Sequence, residues 1–159
     1  MTFKDTKSIV DAGFGGFKTV AEMKAGGYLN LPDTPGVYMI IRKNASAPNF
    51  LRVGTGGHFK GKDPNISEEE LRANWVTGTC VVYIGKATSL KKRLGQYMRF
   101  GNGANVGHWG GRFIWQLSDA DQLVVCWKTT KEDPRAVEAG YIQEFVSQYG
   151  FRPFANLVD

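Results

Sequence analysis

The run VVYIGKATSLKKRLGQY, Val81–Tyr97, decides how the rest of the chain is read. An apolar, β-prone segment reaches a glycine, and the next turns carry Lys86, Lys91, Lys92 and Arg93 with no acid among them. The first half predicts a buried strand, CVVYIG, and the second a helix that starts near Ser89. In that helix Leu90, Leu94, Tyr97 and Met98 fall on one face at helical spacing. At about 100° per residue, Arg93 and Lys91 flank this face and Lys92 points away from it. Two cations therefore stand at the edge of the buried stripe, near the carboxyl end of the preceding strand. Periodicity does not choose between them.

The lack of acids extends well beyond this run. From Leu71 to Ser118 there is no aspartate or glutamate, while Arg72, Lys86, Lys91, Lys92, Arg93, Arg99 and Arg112 all occur. The whole chain has 20 Lys and Arg against 15 Asp and Glu, a net charge of +5, so everything outside this window is slightly negative. Segregation of this kind is expected of a surface that meets phosphate. A solvated basic face with no further role would give the same count.

A chain of 159 residues suits one domain, and 42% hydrophobic with 13% aromatic residues supports a packed core. Cys80 and Cys126 lie in apolar, strand-like contexts without metal-ligand spacing. Neither a disulfide framework nor a zinc site is expected, and a reducing cytoplasm fits. The opening MTFKDTKSIVDAGF lacks the apolar centre of a signal peptide, and no later run reaches transmembrane length. The expectation is a soluble intracellular protein with no membrane partner.

Working toward the N-terminus, the first thirty residues predict two short helical pieces, one of them opened by a Thr19–Glu22 capping box and stopped at Gly26 and Gly27. GVYMIIRK, from Gly36, reads as a buried strand. Residues 42–79 are less regular, with a short strand over FLRV, a glycine-rich loop that carries Lys60 and Lys62, and a helix opened by Ser67 and Glu70. Toward the C-terminus, FGNGANVGHWGG reads as loop. RFIWQL and LVVCWK bracket SDADQ as a hairpin, or the first of them finishes a helix. Asp133 and Pro134 open a last helix through about Tyr149, and the tail FRPFANLVD is extended. Together these elements predict one α+β domain.

In the last helix Val137, Tyr141, Ile142, Phe145 and Tyr149 form an apolar stripe, with Glu138 near its middle and Glu144 roughly 100° off it. A carboxylate that faces a core is costly unless something offsets its charge. Two readings follow: an ion pair with an arginine, or a place at the rim of a cleft where the carboxylate holds a metal ion.

The motifs GVY at Gly36–Tyr38, YIG at Tyr83–Gly85, KATSLKKRL with Arg93, a helical Glu138 and a late PFAN ending at Asn156 resemble the GIY-YIG nuclease superfamily. YIGKATSLKKRLGQY is especially similar to the GIY-YIG domain of bacterial excision-repair incision nucleases. Five elements occur in the family's order and span most of the chain.

The resemblance implies a small, mostly antiparallel sheet flanked by helices, with Tyr38 and Tyr83 side by side. Residues 1–30 would be an N-terminal extension and 42–79 an insertion between the first two motif strands. It implies a metal-dependent DNA endonuclease in which Glu138 binds magnesium or another divalent cation such as manganese. Arg93 would offset charge on the phosphate, and Tyr38 would accept or relay the proton of the attacking water. A free phenol titrates near 10 and is a poor base at neutral pH. Lys86 would lower that value if it lies close, or else it simply binds phosphate. Lys92, Arg99 and Arg112 are candidate phosphate contacts, and so is Asn156, for which a turn or helix-end role is the alternative. His108, beside glycines and Trp109, is a candidate for proton transfer or for touching the leaving group. Trp109 would stack on a splayed base or anchor its loop.

Three departures from the family pattern stand out. Val37 replaces isoleucine, the Tyr38–Tyr83 spacing is far longer than usual, and the last helix runs about two turns beyond Glu138. With no second domain visible, the expected role is a stand-alone restriction-, defence- or repair-type nuclease on duplex DNA, associated with the nucleoid when bound. Double-strand cleavage would call for a homodimer, because such a site cuts one strand. A non-catalytic DNA-binding module, or a nuclease for RNA or single strands, is the alternative.

Overall fold

The structure, a computed structural model, describes residues 1–157; Val158 and Asp159, the end of the tail read as extended, lie outside the described residues. It is an α+β fold in which an open four-stranded antiparallel sheet carries five helices. The strands are β1 (Gly15–Thr19), β2 (Gly36–Ile41), β3 (Val81–Ala87) and β4 (Val124–Thr129), in the spatial order β1-β4-β2-β3. The two motif strands are neighbours, with Tyr38 opposite Gly85 and Gly36 opposite Ala87. β3 forms one edge of the sheet.

The helices are α1 (Thr6–Asp11), α2 (Val20–Lys24), α3 (Glu68–Asn74), α4 (Leu90–Gly101) and α5 (Pro134–Tyr149). Their starts follow the local chemistry of the sequence. Thr19 and Glu22 complete a reciprocal capping box, Ser67 caps α3 through the Glu70 amide, and Ser89 caps α4 through the Lys92 amide. Asp133 caps α5 with Pro134 in its first turn.

The sheet is buried on both faces. On one, Tyr38, Ile40, Tyr83 and Val125 pack with Leu90, Leu94, Tyr97, Met98 and Phe100 of α4. On the other, Val37, Met39, Ile84 and Cys126 pack with Phe145 of α5 and with Phe3, Ile9 and Phe14. Because β-strand side chains alternate, residues 83 and 85 of β3 face α4 while 84 and 86 face α5. Among the described residues no helix is long and apolar enough to cross a membrane.

Two sequence expectations are corrected here, and one open pair of alternatives is decided. The first thirty residues hold a strand as well as helices. β1 lies between α1 and α2, and its register breaks between Gly15 and Lys18, where Phe17 has φ 53°. Of the two readings of RFIWQL, hairpin strand or helix, the helical one holds: after Gly111 turns at φ 80°, Arg112–Gln116 is a 3-10 helix, and Phe113, Ile114, Trp115 and Gln116 are all buried. FLRV is no strand either; Phe50 makes one isolated bridge to Leu117. Gln116 binds the insertion instead, accepting from the Ile66 amide and donating to the Leu51 and Ile66 carbonyls.

Candidate functional site

At the β3 edge a cleft of about 970 Å³ opens between the two helical layers. Tyr83 and Arg93 reach it from the α4 side, and Lys86 and Glu138 from the α5 side. Gly110 and Gly111 of the loop and Asn156 of the tail complete this part of its wall. Arg93 resolves the choice that periodicity left open. It is half-buried, and Nη1 donates to the Gly107 carbonyl at 2.8 Å and to Gln96 at 3.2 Å. Lys91 lines no part of the cleft.

Tyr38 does not open on the cleft: it is fully buried behind Tyr83, with ring centroids 6.0 Å apart. Gly85 makes this possible. A Cβ there would lie 2.5 Å from the Tyr38 hydroxyl oxygen, so the glycine of YIG is the space that the tyrosine of GVY crosses. Gly111 does a related job, since a Cβ on it would meet the Tyr97 hydroxyl at 2.6 Å and the Tyr83 ring beyond.

His108 is fully buried as well and stacks on Tyr97 with centroids 3.8 Å apart. Its Nδ1 lies 2.7 Å from the Gly110 carbonyl, which can only accept, so Nδ1 carries the proton and Nε2 a lone pair. The Tyr38 hydroxyl, 2.9 Å from Nε2, therefore donates to it. Burial, with the nearby Arg93 charge adding to it, pushes the imidazolium pKa down to about 3. His108 is thus a fixed neutral acceptor for Tyr38, and it is closed off from any leaving group.

Burial also raises the Tyr38 phenol well above its ordinary value and Tyr83 to about 12, with Arg93 opposing the shift in both. Lys86 does not serve the role of acidifying Tyr38. It stands on the other face of the sheet, where Nζ lies 3.5 Å from Glu138 Oε1. The cation acting on both phenols is Arg93.

Glu138 is mostly buried, with 16% of its side chain exposed, and its wall of the cleft also carries Arg135 and Arg152. Of the two readings of this carboxylate, the ion pair and the cleft rim, both have a counterpart here: it pairs with Lys86 and it lines the cleft. Glu144 is half exposed, outside the cleft, 3.7 Å from the Met1 amino group. Asn156 has a structural task. Its Oδ1 accepts from the Ile84 amide at 2.9 Å and its Nδ2 donates to the Ile84 carbonyl at 2.8 Å. The tail thereby closes part of the β3 edge.

The remaining candidates disperse. Lys92 lines an adjacent hollow rather than the cleft, and Arg99 is exposed and lines neither. The Arg112 guanidinium lies over Trp109 at 4.5 Å and donates to its carbonyl, outside the cleft. That contact accounts for Trp109 as a loop anchor. No residue of the 42–79 insertion lines the cleft. Sequence reasoning missed Arg135 and Arg152, which fall outside the acid-free window; only the helical position of Arg135, one turn before Glu138, could have signalled it.

Among the described residues no three His, Cys, Asp or Glu side chains cluster to hold a metal. The donor set is one carboxylate together with whatever oxygens a substrate and water bring. That fits a hard cation such as magnesium, which keeps several waters and needs one or two carboxylates plus phosphate. Set against models of protein families, curated protein sequences and solved structures, the chain has no match.

Proposed function

We propose that this protein is a magnesium-dependent endonuclease of the GIY-YIG type that hydrolyses phosphodiester bonds in DNA. The observation that carries the reading is that Tyr83, Arg93, Lys86 and Glu138, drawn from three elements, line one open cleft at the β3 edge. A cleft for an uncharged ligand has no use for one cation beside a largely buried carboxylate and a second across from it.

In this reading Arg93 holds a non-bridging phosphate oxygen, and its hydrogen bonds to Gly107 and Gln96 fix its aim before substrate arrives. Tyr83 is a neutral phenol at pH 7 and positions the attacking water. Tyr38, behind it and pinned to His108, orients Tyr83 rather than touching water itself. Glu138 would hold the metal, whose chemistry is Lewis-acid stabilisation of the departing 3′ oxygen. Lys86 leaves Glu138 for phosphate when the cleft fills.

The test is single-turnover cleavage of supercoiled plasmid, with and without magnesium or manganese, beside linear duplex, single-stranded DNA and RNA. Glu138→Ala should abolish metal-dependent cleavage and leave metal-free DNA binding equal or tighter. Arg93→Ala should lose about two to three orders of magnitude in rate. Glu144→Ala should cut like wild type. DNA binding without cleavage under any divalent ion would replace the enzyme with a binding module.

A further inference from the structure

Beside the cleft lies a second hollow of about 450 Å³, and the two share Lys86, Arg93 and Arg135 as a common wall. Lys92 and Gln96 of α4 face it from one side and Asp133 from the other. Four cations thus surround a space with one carboxylate in its lining, and that carboxylate already accepts the Arg135 amide as the α5 cap. The amide of Lys92 is likewise taken by Ser89. Side-chain charge therefore dominates the hollow. Lys92 and Arg135 are both exposed, and the Asp33 carboxylate, held by Ser89, is near enough to feel the Lys92 charge.

We infer that this hollow is a second phosphate subsite, which takes the backbone phosphate adjacent to the one under attack. The inference rests on the phosphodiester reading of the cleft and extends it: the substrate is a strand with a charged phosphate beside the scissile bond. A strand laid across the wall of Lys86, Arg93 and Arg135 puts consecutive phosphates on its two sides. Lys92 belongs to the second phosphate alone, since it lines only this hollow. Arg135 bridges the two.

Two metal-free measurements test this. In the first, inorganic phosphate and pyrophosphate are titrated into the protein and followed by phosphorus NMR. The Lys92→Gln/Arg135→Gln double variant should bind them at least about five-fold more weakly, and Arg99→Gln should bind like wild type. In the second, fluorescence anisotropy follows duplexes in which a single linkage is a neutral methylphosphonate. One position should weaken wild-type binding about ten-fold beyond its neighbours, and the double variant should not sense that position. Circular dichroism checks that the double variant is folded, as exposed substitutions should leave it. No saturable phosphate binding by the wild type, or equal binding by the double variant, overturns the subsite. Failure of the nuclease reading looks different: both binding results hold while no metal ion elicits cleavage.

Discussion

His108 is sealed inside the protein with its lone pair committed to Tyr38 and its one proton committed to Gly110, so protonating it in the folded state breaks a hydrogen bond and buries a charge. Its pKa stands at about 3 when folded, against an ordinary 6.5. As pH falls through about 6.5 the unfolded chain takes up this proton and the folded chain does not. Stability is therefore full above that value and declines on acidification, by up to about 1.4 kcal/mol per pH unit, until pH nears 3. From pH 7 to pH 5 the difference in proton uptake amounts to about 2 kcal/mol. Asp33, Asp63 and Glu22, held low mainly by hydrogen bonds from Ser89, Asn65 and Thr19, act in the same direction at lower pH. They are common to wild type and variant and cancel in a difference. The perturbation is His108→Gln, which keeps a donor and an acceptor but cannot titrate. Urea unfolding at pH 7, 6 and 5 should show wild type losing about 2 kcal/mol more than the variant. If the variant does not fold, the His108 ring-proton resonance should stay fixed from pH 8 to about 4.5 in wild type. Equal acid losses in the two proteins, or a resonance that titrates near 6, would refute the sealed, neutral histidine.

Gly85→Ala should destabilise by at least about 1–3 kcal/mol in urea unfolding, because its methyl group collides with Tyr38, and it should cost less in a Tyr38→Ala background where the collision is gone. Asn156→Ala leaves the Ile84 amide and carbonyl without their side-chain partner; a loss of about 1–3 kcal/mol is expected, with faster hydrogen exchange at that amide. Lys86, Lys92, Arg93, Arg135 and Arg152 line the cleft and its neighbour, so five phosphate contacts would give a log–log salt slope of about −4.5 on duplex DNA. A slope shallower than about −2 would mean that these cations do not meet phosphate.

The two motif strands, α4 and α5 were legible because each carries its own signal: β-branched runs, a capping serine and Asp-Pro at a helix start. The burial of Glu138 was legible from the stripe it interrupts. What surrounds it was not: alternation puts Lys86 on the opposite face from Tyr83, but which helix covers that face is a tertiary fact that local pattern does not fix. β1 was missed because Gly16 and Phe17 both have positive φ, which destroys the alternation by which strands are recognised. RFIWQL stayed open between strand and helix for another reason: nearly all of it is buried, so it has no polar face to betray its period. The acid-free window holds two of the four cations that line the cleft, Lys86 and Arg93. Arg99 and Arg112 belong to it and miss the cleft, whereas Arg135 and Arg152 lie outside it and line the cleft.

A site that handles a phosphodiester with a carboxylate-held cation must keep a positive and a negative side chain near one phosphate without letting them neutralise each other. A sheet edge offers a way to do this. Arg93 comes from α4 on one face and Glu138 from α5 on the other, with the β3 backbone between the two layers. Arg93 is tethered to the Gly107 carbonyl and to Gln96, so its charge stays on its own side. Lys86, at the end of the strand, pairs with Glu138 at 3.5 Å and keeps half of its side chain in solvent. At 3.5 Å and with the lysine half in solvent the pair is loosely held, and a flexible lysine exchanges partners at little cost where a forked arginine would resist. The arrangement therefore holds the arginine in place and leaves the lysine to move. It also gives a reason for the tail: by binding Ile84 through both ends of its amide, Asn156 closes the edge just before Lys86.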